Sequence, residues 1–291
     1  FLKDNNFNVP NAKGYSSKEE ALADTAYYNW PVIVKPVDSA GSKGVTRVDE
    51  LGQLSSAIDY ALSESHNGHF IIEDFLEKEG NSSDCDSFTV DGELVFCSFN
   101  DQHFDPKAIN PYTPAAFSWP STMPQWAQEE LRSELQRLMT LLNVKTGVYN
   151  IETRLCKNGK PYIMELSPRG GGNRLSEMMK YISGQDLIDN CVCAAVGDPI
   201  DEIHQPVYEG YWAEIILHSE RDGVFQSIEI DKTVEERFLI EKDIWVKTGD
   251  KVQGFTGANT TIGTLVLRFN TNEEMTCCLS NQETWFKIIV L

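Results

Sequence analysis

The chain has 291 residues, 41% of them hydrophobic and 10% aromatic, which excludes a disordered chain and allows a sizeable core. Its 44 acidic and 25 basic residues give a formal net charge of −19, which excludes a sequence-independent grip on nucleic acid or anionic lipid. We see no leader and no apolar run near the roughly 20 residues of a membrane span, and therefore expect a cytoplasmic protein with small-molecule partners, a homodimer being left open.

The amino-terminal stretch FLKDNNFNVP, which has no Met, predicts an amphipathic helix entered partway through and an upstream segment that is missing. Beyond it, hydrophobic periodicity predicts alternating helices and strands up to a polar stretch at 196–206, and a small β domain after it. The predicted elements are helix 17–26, strand 32–35, helix 51–65, strand 70–73, a hairpin over 87–99, helix 125–142, strands 147–155 and 160–166, and a late helix at 273–282.

The spacing of the seven cysteines and five histidines indicates neither a metal site nor a disulfide scaffold. No CxxC pair, HxxxH or HxH pattern occurs, and the cysteines are not dense enough for a small disulfide scaffold. We therefore expect reduced core thiols and no zinc site.

A stretch of small residues follows a buried strand in WPVIVKPVDSAGSKGVTRV, residues 30–48, and a second strand is predicted from Val45. The stretch is neither a P-loop nor a dinucleotide fingerprint. Amides and hydroxyls beside the cations Lys35 and Lys43 suit a polyphosphate, and an ordinary Gly-Ser turn is the alternative. The candidate ligands in the loop are Ser39, Gly41, Ser42 and Gly44.

The stretch FIIEDFLEKEG, residues 70–80, reads as a buried strand that turns acidic. Its backbone could bind the edge of an adenine, and the alternative is a strand that simply leaves the core. The candidate adenine-binding residues are Glu73, Asp74, Phe75 and Leu76.

A tight hairpin is predicted for residues 147–166, because Asn158-Gly159 is the strongest two-residue hairpin signal. If these residues are the centre of the turn, residue 157 faces 160 and Glu152 lies directly across from Glu165. Directly opposed glutamates, about 5 Å apart at Cβ, repel each other and need a compensating cation.

The same register pairs Asn150 with Ser167, which puts four oxygen-bearing side chains at one strand end. Such a set suits Mg²⁺, a hard ion that leaves coordination sites for phosphate oxygens. The alternative is a surface pair of glutamates neutralised by Arg154 or Arg169. The run GGGN after Arg169, which a ligand can approach closely, favours the metal site, as does an apolar opposite face. That face is predicted to contain Tyr149, Ile151, Tyr162, Met164 and Leu166.

In order and spacing, PVIVKP with SAGSKGV, IIEDFL and YNIETRLCKNGKPYIMELSPRGGG resemble the ATP-grasp superfamily over about residues 1–200. The resemblance is greatest to its carboxylate-amine ligase branch, near L-amino-acid ligases and proteins related to carbamoyl-phosphate synthase and biotin carboxylase. It implies an α+β ATP-grasp fold, in which two lobes sandwich ATP, with a small C-terminal β-rich domain. The implied segments are a small lobe with hinge over 1–80, a large lobe over 81–200 and the β-rich domain over 201–291.

The resemblance also implies roles for single residues. Lys35 would contact the ATP phosphates, residues 41–44 would form a flap over them, and residues 73–76 would form the adenine hinge. The implied metal ligands are Glu152, Glu165 and Ser167, with Mg²⁺ as the ion and Mn²⁺ as its alternative. The implied catalytic cations are Arg169 and Lys43.

Two departures from the family pattern are visible. Ser167 stands where the family often has Asn, so it is a shorter ligand that could act through water. A family lysine upstream of the first helix and the amino-terminal domain are not in this sequence.

The expected reaction is the ATP-dependent conversion of a carboxylate into an acyl phosphate, which an amine then attacks. The alternatives are a step on bicarbonate like that of carbamoyl-phosphate synthase, a ligase for a sugar or nucleotide precursor, and an ATP-binding module without turnover. Residues 99–124, with His103 and Lys107, are expected to form a functional loop on the acceptor side.

Overall fold

The computed structural model describes residues 1–39 and 42–291, which form two compact units. The first unit comprises Phe1–Lys78 with Cys156–Asn158, and the second comprises Glu79–Leu155 with Gly159–Leu291. Both combine helices with antiparallel sheets, which confirms the predicted α+β class.

The described residues contain the following elements. The strands are β1 Ala12–Tyr15, β2 Val32–Pro36, β3 Thr46–Val48, β4 Phe70–Asp74, β5 Ser83–Val90, β6 Glu93–Cys97, β7 Asp101–Phe104, β8 Pro114–Trp119, β9 Gly147–Leu155, β10 Pro161–Ser167, β11 Tyr211–Leu217, β12 Gly223–Ile230, β13 Leu239–Ile244, β14 Lys251–Val252, β15 Gly263–Phe269 and β16 Phe286–Val290. The helices are α1 Lys18–Ala23, α2 Leu51–Glu64, α3 Gln125–Leu141, α4 Leu175–Ser183, α5 Leu187–Val196, α6 Lys232–Phe238, α7 Asn272–Ser280 and α8 Gln282–Trp285.

The first unit is a four-stranded antiparallel sheet, in the order β1-β4-β2-β3, with its own hydrophobic core. Helix α2 contributes an apolar stripe at helical spacing to this core. Ser17 is the N-cap of helix α1, and its hydroxyl accepts a hydrogen bond from the Glu20 N–H at 3.2 Å. The predicted helices and strands of residues 17–73 are therefore confirmed within a few residues at their ends. The buried stripe of α2 consists of Leu54, Ala57, Ile58 and Ala61.

The helix predicted at the amino terminus is wrong. Residues 2–6 form turns, and the Asn5 N–H reaches the Phe1 carbonyl at 3.1 Å, as in one helical turn. Asn6 then adopts φ 58°, in the left-handed region, where a helix ends.

The second unit contains the sheet β10-β9-β5-β6, against which α3 packs. Leu131 and Leu135 of α3 are buried with Ile151 of β9 in one cluster, which confirms the long amphipathic helix. The β5-β6 hairpin turns at Asp91 and Gly92, with φ 49° and 87°, as a two-residue hairpin turn requires.

A five-stranded sheet, β13-β15-β11-β8-β7, lies in the same unit and joins strands from residues 101–119 with strands from residues 211–269. A three-stranded sheet, β14-β12-β16, and helices α6 to α8 complete a strand-rich region, as predicted after the polar stretch at 196–206. The predicted boundary at residue 200 thus falls inside one compact unit, and the three-segment division stays a prediction.

All seven cysteines are free thiols. Six are buried or half-buried, as expected of core thiols, but Cys277 on α7 is exposed. No helix within residues 1–39 and 42–291 is long and apolar enough to cross a membrane.

Candidate functional site

The hairpin of β9 and β10 places the two predicted glutamates opposite each other. Glu152 pairs with Glu165, and Asn150 pairs with Ser167, which confirms the predicted register at this end. Nearer the turn the predicted register is wrong. It places residue 157 opposite residue 160, whereas residues 156–160 form the connection between the strands and Pro161 pairs with Leu155.

A bulge in β10 accounts for the difference in pairing register between the two ends of the hairpin. The register shifts between Ile163 and Glu165, so Met164 is the extra residue that has no partner on β9. The bulge also changes which side chains reach the core. Ile163 packs there with Tyr149, Ile151 and Leu166 in one cluster. Tyr162 is buried as predicted but lies outside this cluster, and Met164 is half-buried.

A third strand extends this arrangement. Strand β5 pairs with the other side of β9, so that Asp84 lies across from Glu152 and Asp86 across from Asn150. Two rows of polar side chains therefore cross three strands on one face, since alternate residues of a strand share a face. The rows are Asp84, Glu152 and Glu165, and Asp86, Asn150 and Ser167.

Sequence reasoning missed Asp84 and Asp86. Their signal is the alternation D-C-D before a hairpin, which puts two carboxylates on one face of β5. The pairing of β5 with β9 joins residues 58 to 70 positions apart along the chain, from Thr89 with Gly147 to Ser83 with Thr153, and no local turn specifies it.

The first row is electrostatically unfavourable. Burial raises the pKa of Asp84 to about 7, and the negative charge of Glu152 acts in the same direction. Asn150 partly offsets this effect, because its Nδ2 donates to Asp84 Oδ1 at 2.7 Å. Burial likewise raises the pKa of Asp86.

Cationic and hydroxyl groups lie around the two glutamates. Arg154 Nη2 is 3.7 Å from Glu152 Oε1, and the Ser167 hydroxyl donates to Glu165 Oε1 at 3.0 Å. The contact of Arg154 with Glu152 agrees with the alternative prediction, in which an arginine neutralises the pair of glutamates. Arg169 is exposed, and its Nη1 donates to the Gly170 carbonyl at 2.8 Å.

The donor set fits a magnesium ion that shares its coordination with a ligand. Within the described parts of the chain, no three or more His, Cys, Asp or Glu side chains are placed to hold a metal by themselves. Mg²⁺ normally takes one or two carboxylates and completes its shell with water and phosphate oxygens. Opposed Glu152 and Glu165, the latter exposed, meet that requirement.

In the first unit, Lys35 of β2 and Glu73 of β4 form an ion pair, with Nζ 2.5 Å from Oε2. The predicted phosphate-binding lysine and the first residue of the predicted adenine hinge thus contact each other. About a third of the Lys35 side chain is exposed (31%).

The loop after β2 is described except for Ala40 and Gly41, so the predicted contact of Gly41 lies outside the described residues. Ser39 and Ser42 are half-buried, and Lys43 is exposed. Gly44 has φ 74°, and a Cβ there would lie 2.9 Å from the Cβ of Glu64. This position therefore requires glycine for a packing reason.

The predicted hinge is held by its own backbone. The Asp74 N–H donates to the Asn11 carbonyl and the Phe75 N–H to the Pro31 carbonyl, both at 2.9 Å. These two N–H groups fix the segment within the first unit, and the adenine-binding role of residues 73–76 stays a prediction.

Residues 99–124 form more regular structure than the expected functional loop, since β7 and β8 lie within them. His103 Nε2 is 2.8 Å from the Ser118 hydroxyl, and Lys107 Nζ is 2.8 Å from Glu283 Oε2. Both side chains have structural partners, and their contact with a substrate stays a prediction.

The sequence profile of the ATP-grasp domain matches residues 28–177, and the chain belongs to this family. The match covers all the segments described above, from the strand before Lys35 to the loop after Arg169. The family resemblance inferred from the motifs is confirmed, and with it the predicted ATP-grasp fold.

Three relatives match the chain by sequence at 24–26% identity. The chain is 26% identical over 194 residues to the carbamoyl phosphate synthase large chain, C-terminal section, of Aquifex aeolicus, covering 66% of this chain and 35% of that protein. It is 26% identical over 182 residues to carnosine synthase 1 of Gallus gallus, covering 58% and 19%. The chain spans about a third of the length of the two carbamoyl phosphate synthase sections it matches.

Among solved structures, the L-amino acid ligase from Bacillus licheniformis superposes with a TM-score of 0.78 at 20% identity. The superposition covers 100% of this chain and 70% of the ligase. At 20% identity, this structural similarity supports the assignment of the fold alone.

Proposed function

We propose that this protein is an ATP- and Mg²⁺-dependent ligase that joins a carboxylate to an amine. The carboxylate attacks the γ-phosphorus of ATP, which gives an acyl phosphate and ADP. The amine then attacks the acyl carbon, which releases phosphate and leaves an amide. The observation that carries the proposal is the opposed pair Glu152 and Glu165, followed at once by Arg169.

Glu152 and Glu165 would hold the Mg²⁺, with Ser167 as the third ligand, and Mn²⁺ could replace it. When bound, the ion neutralises charge on phosphate oxygens. A cation is favourable beside this row, since the negative charges of Glu152 and Glu165 raise the pKa of Asp84 and a bound cation would lower it.

The cations of the chain supply the remaining charge. Lys35 and Lys43 would contact the ATP phosphates, and Arg169 would donate to the transferring phosphoryl group. Phosphoryl transfer depends on positioning and charge neutralisation more than on a strong nucleophile. Exposed Lys43 and Arg169, and the partly exposed Lys35, suit that task.

A second candidate is a step on bicarbonate, favoured by the 26% identity to a carbamoyl phosphate synthase section. It uses the same metal and phosphate groups and differs only in the acid that is phosphorylated. The choice between the two therefore depends on the substrate.

The metal site is tested by thermal unfolding with ATP, Mg²⁺ or both. We expect Mg·ATP to raise the melting temperature more than either component alone, because the opposed glutamates repel until a cation lies between them. The double variant Glu152→Gln, Glu165→Gln should lose this extra shift. Glu93→Gln, an exposed glutamate of the same sheet, should keep it. Equal shifts with and without Mg²⁺ would contradict the two-glutamate site.

The reaction is tested by ADP release with amino acids, dipeptides and bicarbonate, alone and in pairs. Release that requires a carboxylate and an amine supports the ligase, and release with bicarbonate supports the second candidate. Nucleotide binding without release from any mixture would indicate an ATP-binding module.

A further inference from the structure

Asp86 lies in the second row of the polar face, and the proposed chemistry does not use it. It is fully buried (0% exposed) in the middle of β5. Its Oδ1 accepts hydrogen bonds from the Gly171 N–H at 2.8 Å and from Asn150 Nδ2 at 3.1 Å. Its Oδ2 accepts one from the Ser176 hydroxyl.

These partners join three parts of the unit. Asn150 belongs to β9, Gly171 to the loop that leaves β10, and Ser176 to the first turn of α4. One buried carboxylate therefore ties the loop that follows Arg169 to the sheet and to the next helix. Hydrogen bonds to a buried ionised group are among the stronger ones in proteins.

The first two glycines of this loop lie close to Asp86 and its partners. A Cβ on Gly170 would lie 2.5 Å from the Ser176 hydroxyl oxygen. A Cβ on Gly171 would lie 2.6 Å from Leu175 Cδ1, 2.8 Å from Asn150 Nδ2 and 3.0 Å from Asp86 Oδ1. Gly172 has open space around it, so the close approach is limited to the first two glycines.

Hydrogen bonds hold the backbone on both sides of the Arg169 side chain. On one side, its backbone N–H donates to the carbonyl of Ser167, the last residue of β10, at 2.8 Å. On the other side, Gly171 is bonded to Asp86. The Arg169 side chain itself is exposed and donates a hydrogen bond to the Gly170 carbonyl, and its positive charge lowers the pKa of Asp86. Its position therefore depends on how firmly the backbone around it is held.

We propose that Asp86 is a positioning residue that fixes the backbone of residues 168–171, so that Arg169 is aimed at the transferring phosphoryl group. This inference rests on the proposed role of Arg169. A guanidinium group stabilises a transition state best when its geometry is set before the reaction, and buried supporting hydrogen bonds provide such order.

The hydrogen bond itself is tested without any ligand, by amide hydrogen exchange in the full chain. In Asp86→Ala we expect the Gly171 amide to exchange at least about tenfold faster, and trypsin to cleave faster after Arg169. Ser176→Ala, which keeps Asp86, should show a smaller change in the same direction, and remains informative if Asp86→Ala folds poorly. The matched control is Thr89→Val on the same strand, which removes a buried hydrogen bond from the Thr89 hydroxyl to the Lys145 carbonyl, 2.5 Å long. Unchanged Gly171 exchange in Asp86→Ala, or equal acceleration in Thr89→Val, would overturn the inference.

The effect on Arg169 is tested with Mg·ADP and aluminium fluoride, which mimics a transferring phosphoryl group. We expect fluoride to tighten nucleotide binding to the wild type at least about tenfold, because transition-state mimics bind more tightly than ground states. Arg169→Ala and Asp86→Ala should each lose most of this tightening while Mg·ADP affinity stays within about threefold. The double variant should lose no more than either single variant, since both changes act through one group.

Additive losses in the double variant, or full tightening in Asp86→Ala, would overturn the positioning role. A wild type that does not bind Mg·ADP, or that binds it without tightening, would instead contradict the proposed function. The exchange experiment still decides whether Asp86 holds the loop in that case, so the two failures are distinguishable.

Discussion

At the scale of single residues, the carboxylate row concentrates negative charge where neighbouring strands are about 4.8 Å apart. Asp84, Glu152 and Glu165 occupy adjacent strands, and Arg154 Nη2 lies 3.7 Å from Glu152 Oε1. The negative charges of Glu152 and Glu165 both raise the pKa of Asp84. A divalent cation at the proposed metal site would reduce this repulsion.

Arg169→Lys tests whether the guanidinium of Arg169 has a chemical role. We expect Mg·ATP affinity to stay within severalfold and turnover to fall at least about a hundredfold, because Lys cannot reproduce the planar two-pronged donor. Nucleotide affinity is measured by calorimetry, and turnover by ADP release with the substrates that the screen finds. Arg132→Lys, on the exposed side of α3, serves as the control. Normal turnover in Arg169→Lys would indicate that the arginine acts only as a counter-ion for the glutamates.

Lys35→Ala should weaken ATP binding about tenfold or more, because the variant would lose the proposed phosphate contact and leave Glu73 without its ion-pair partner. The control is Lys18→Ala in the same unit, whose ammonium lies 2.6 Å from Asp59 Oδ2. Binding is measured by calorimetry in Mg²⁺. Equal affinity in the two variants would assign Lys35 a purely structural role.

At the scale of elements, the bulge at Met164 decides how the hairpin serves the site. Without an extra residue in β10, the register that starts at Pro161 and Leu155 would place Glu165 across from Ile151. The bulge restores the pairing of Glu165 with Glu152 and turns Ile163 toward the core. Bulges are common next to functional sites because they re-aim side chains in this way.

Glu214 on β11 makes stability depend on pH. It is fully buried, and neither carboxylate oxygen has a hydrogen-bond partner among the described residues. Burial raises its pKa well above the usual 4.5, the positive charge of Arg174 opposes this effect, and the negative charge of Glu177 adds to it. The folded chain therefore keeps a proton that the unfolded chain releases near pH 4.5. Stability should fall as pH rises above that value, by up to about 1.4 kcal/mol per pH unit, until the folded pKa is reached.

The variant Glu214→Gln removes this titration. We expect its free energy of unfolding, relative to wild type, to increase between about pH 5 and about pH 8. Urea unfolding at both pH values measures the difference, and Glu229→Gln, an exposed glutamate on β12, is the control. A difference that does not change with pH would show that Glu214 is ionised in the folded protein.

At the scale of the whole molecule, charge is the dominant feature. A net charge of −19 opposes the compact state through self-repulsion. We expect the melting temperature to rise when NaCl is raised from about 20 mM to about 200 mM, because salt screens this repulsion. Near the isoelectric point of about 4.6 the rise should be much smaller. A melting temperature that falls with salt at neutral pH would show that favourable ion pairs outweigh the repulsion.

Many elements of the two units could be predicted from local patterns. The stripe of α2, the buried face of α3 and the Asp91-Gly92 turn depend on residues close together in the chain, so periodicity and turn chemistry specify them. The helix at the amino terminus failed because Asn6 adopts a left-handed conformation, which its hydrophobic pattern does not show.

What the sequence by itself determined is the opposition of Glu152 and Glu165 and the family to which the motifs point. The glutamates are joined by one short turn, and the motifs, including the small-residue loop after Lys35, are each contiguous in the chain. The tertiary structure alone decided that β5 lies beside β9, that Asp84 joins the glutamates, that Lys35 meets Glu73, and that Gly170 and Gly171 are needed against Asp86 and its partners. These contacts join segments far apart in the chain. Their free energy depends on burial and on the closing of long loops, which short-range sequence patterns do not encode.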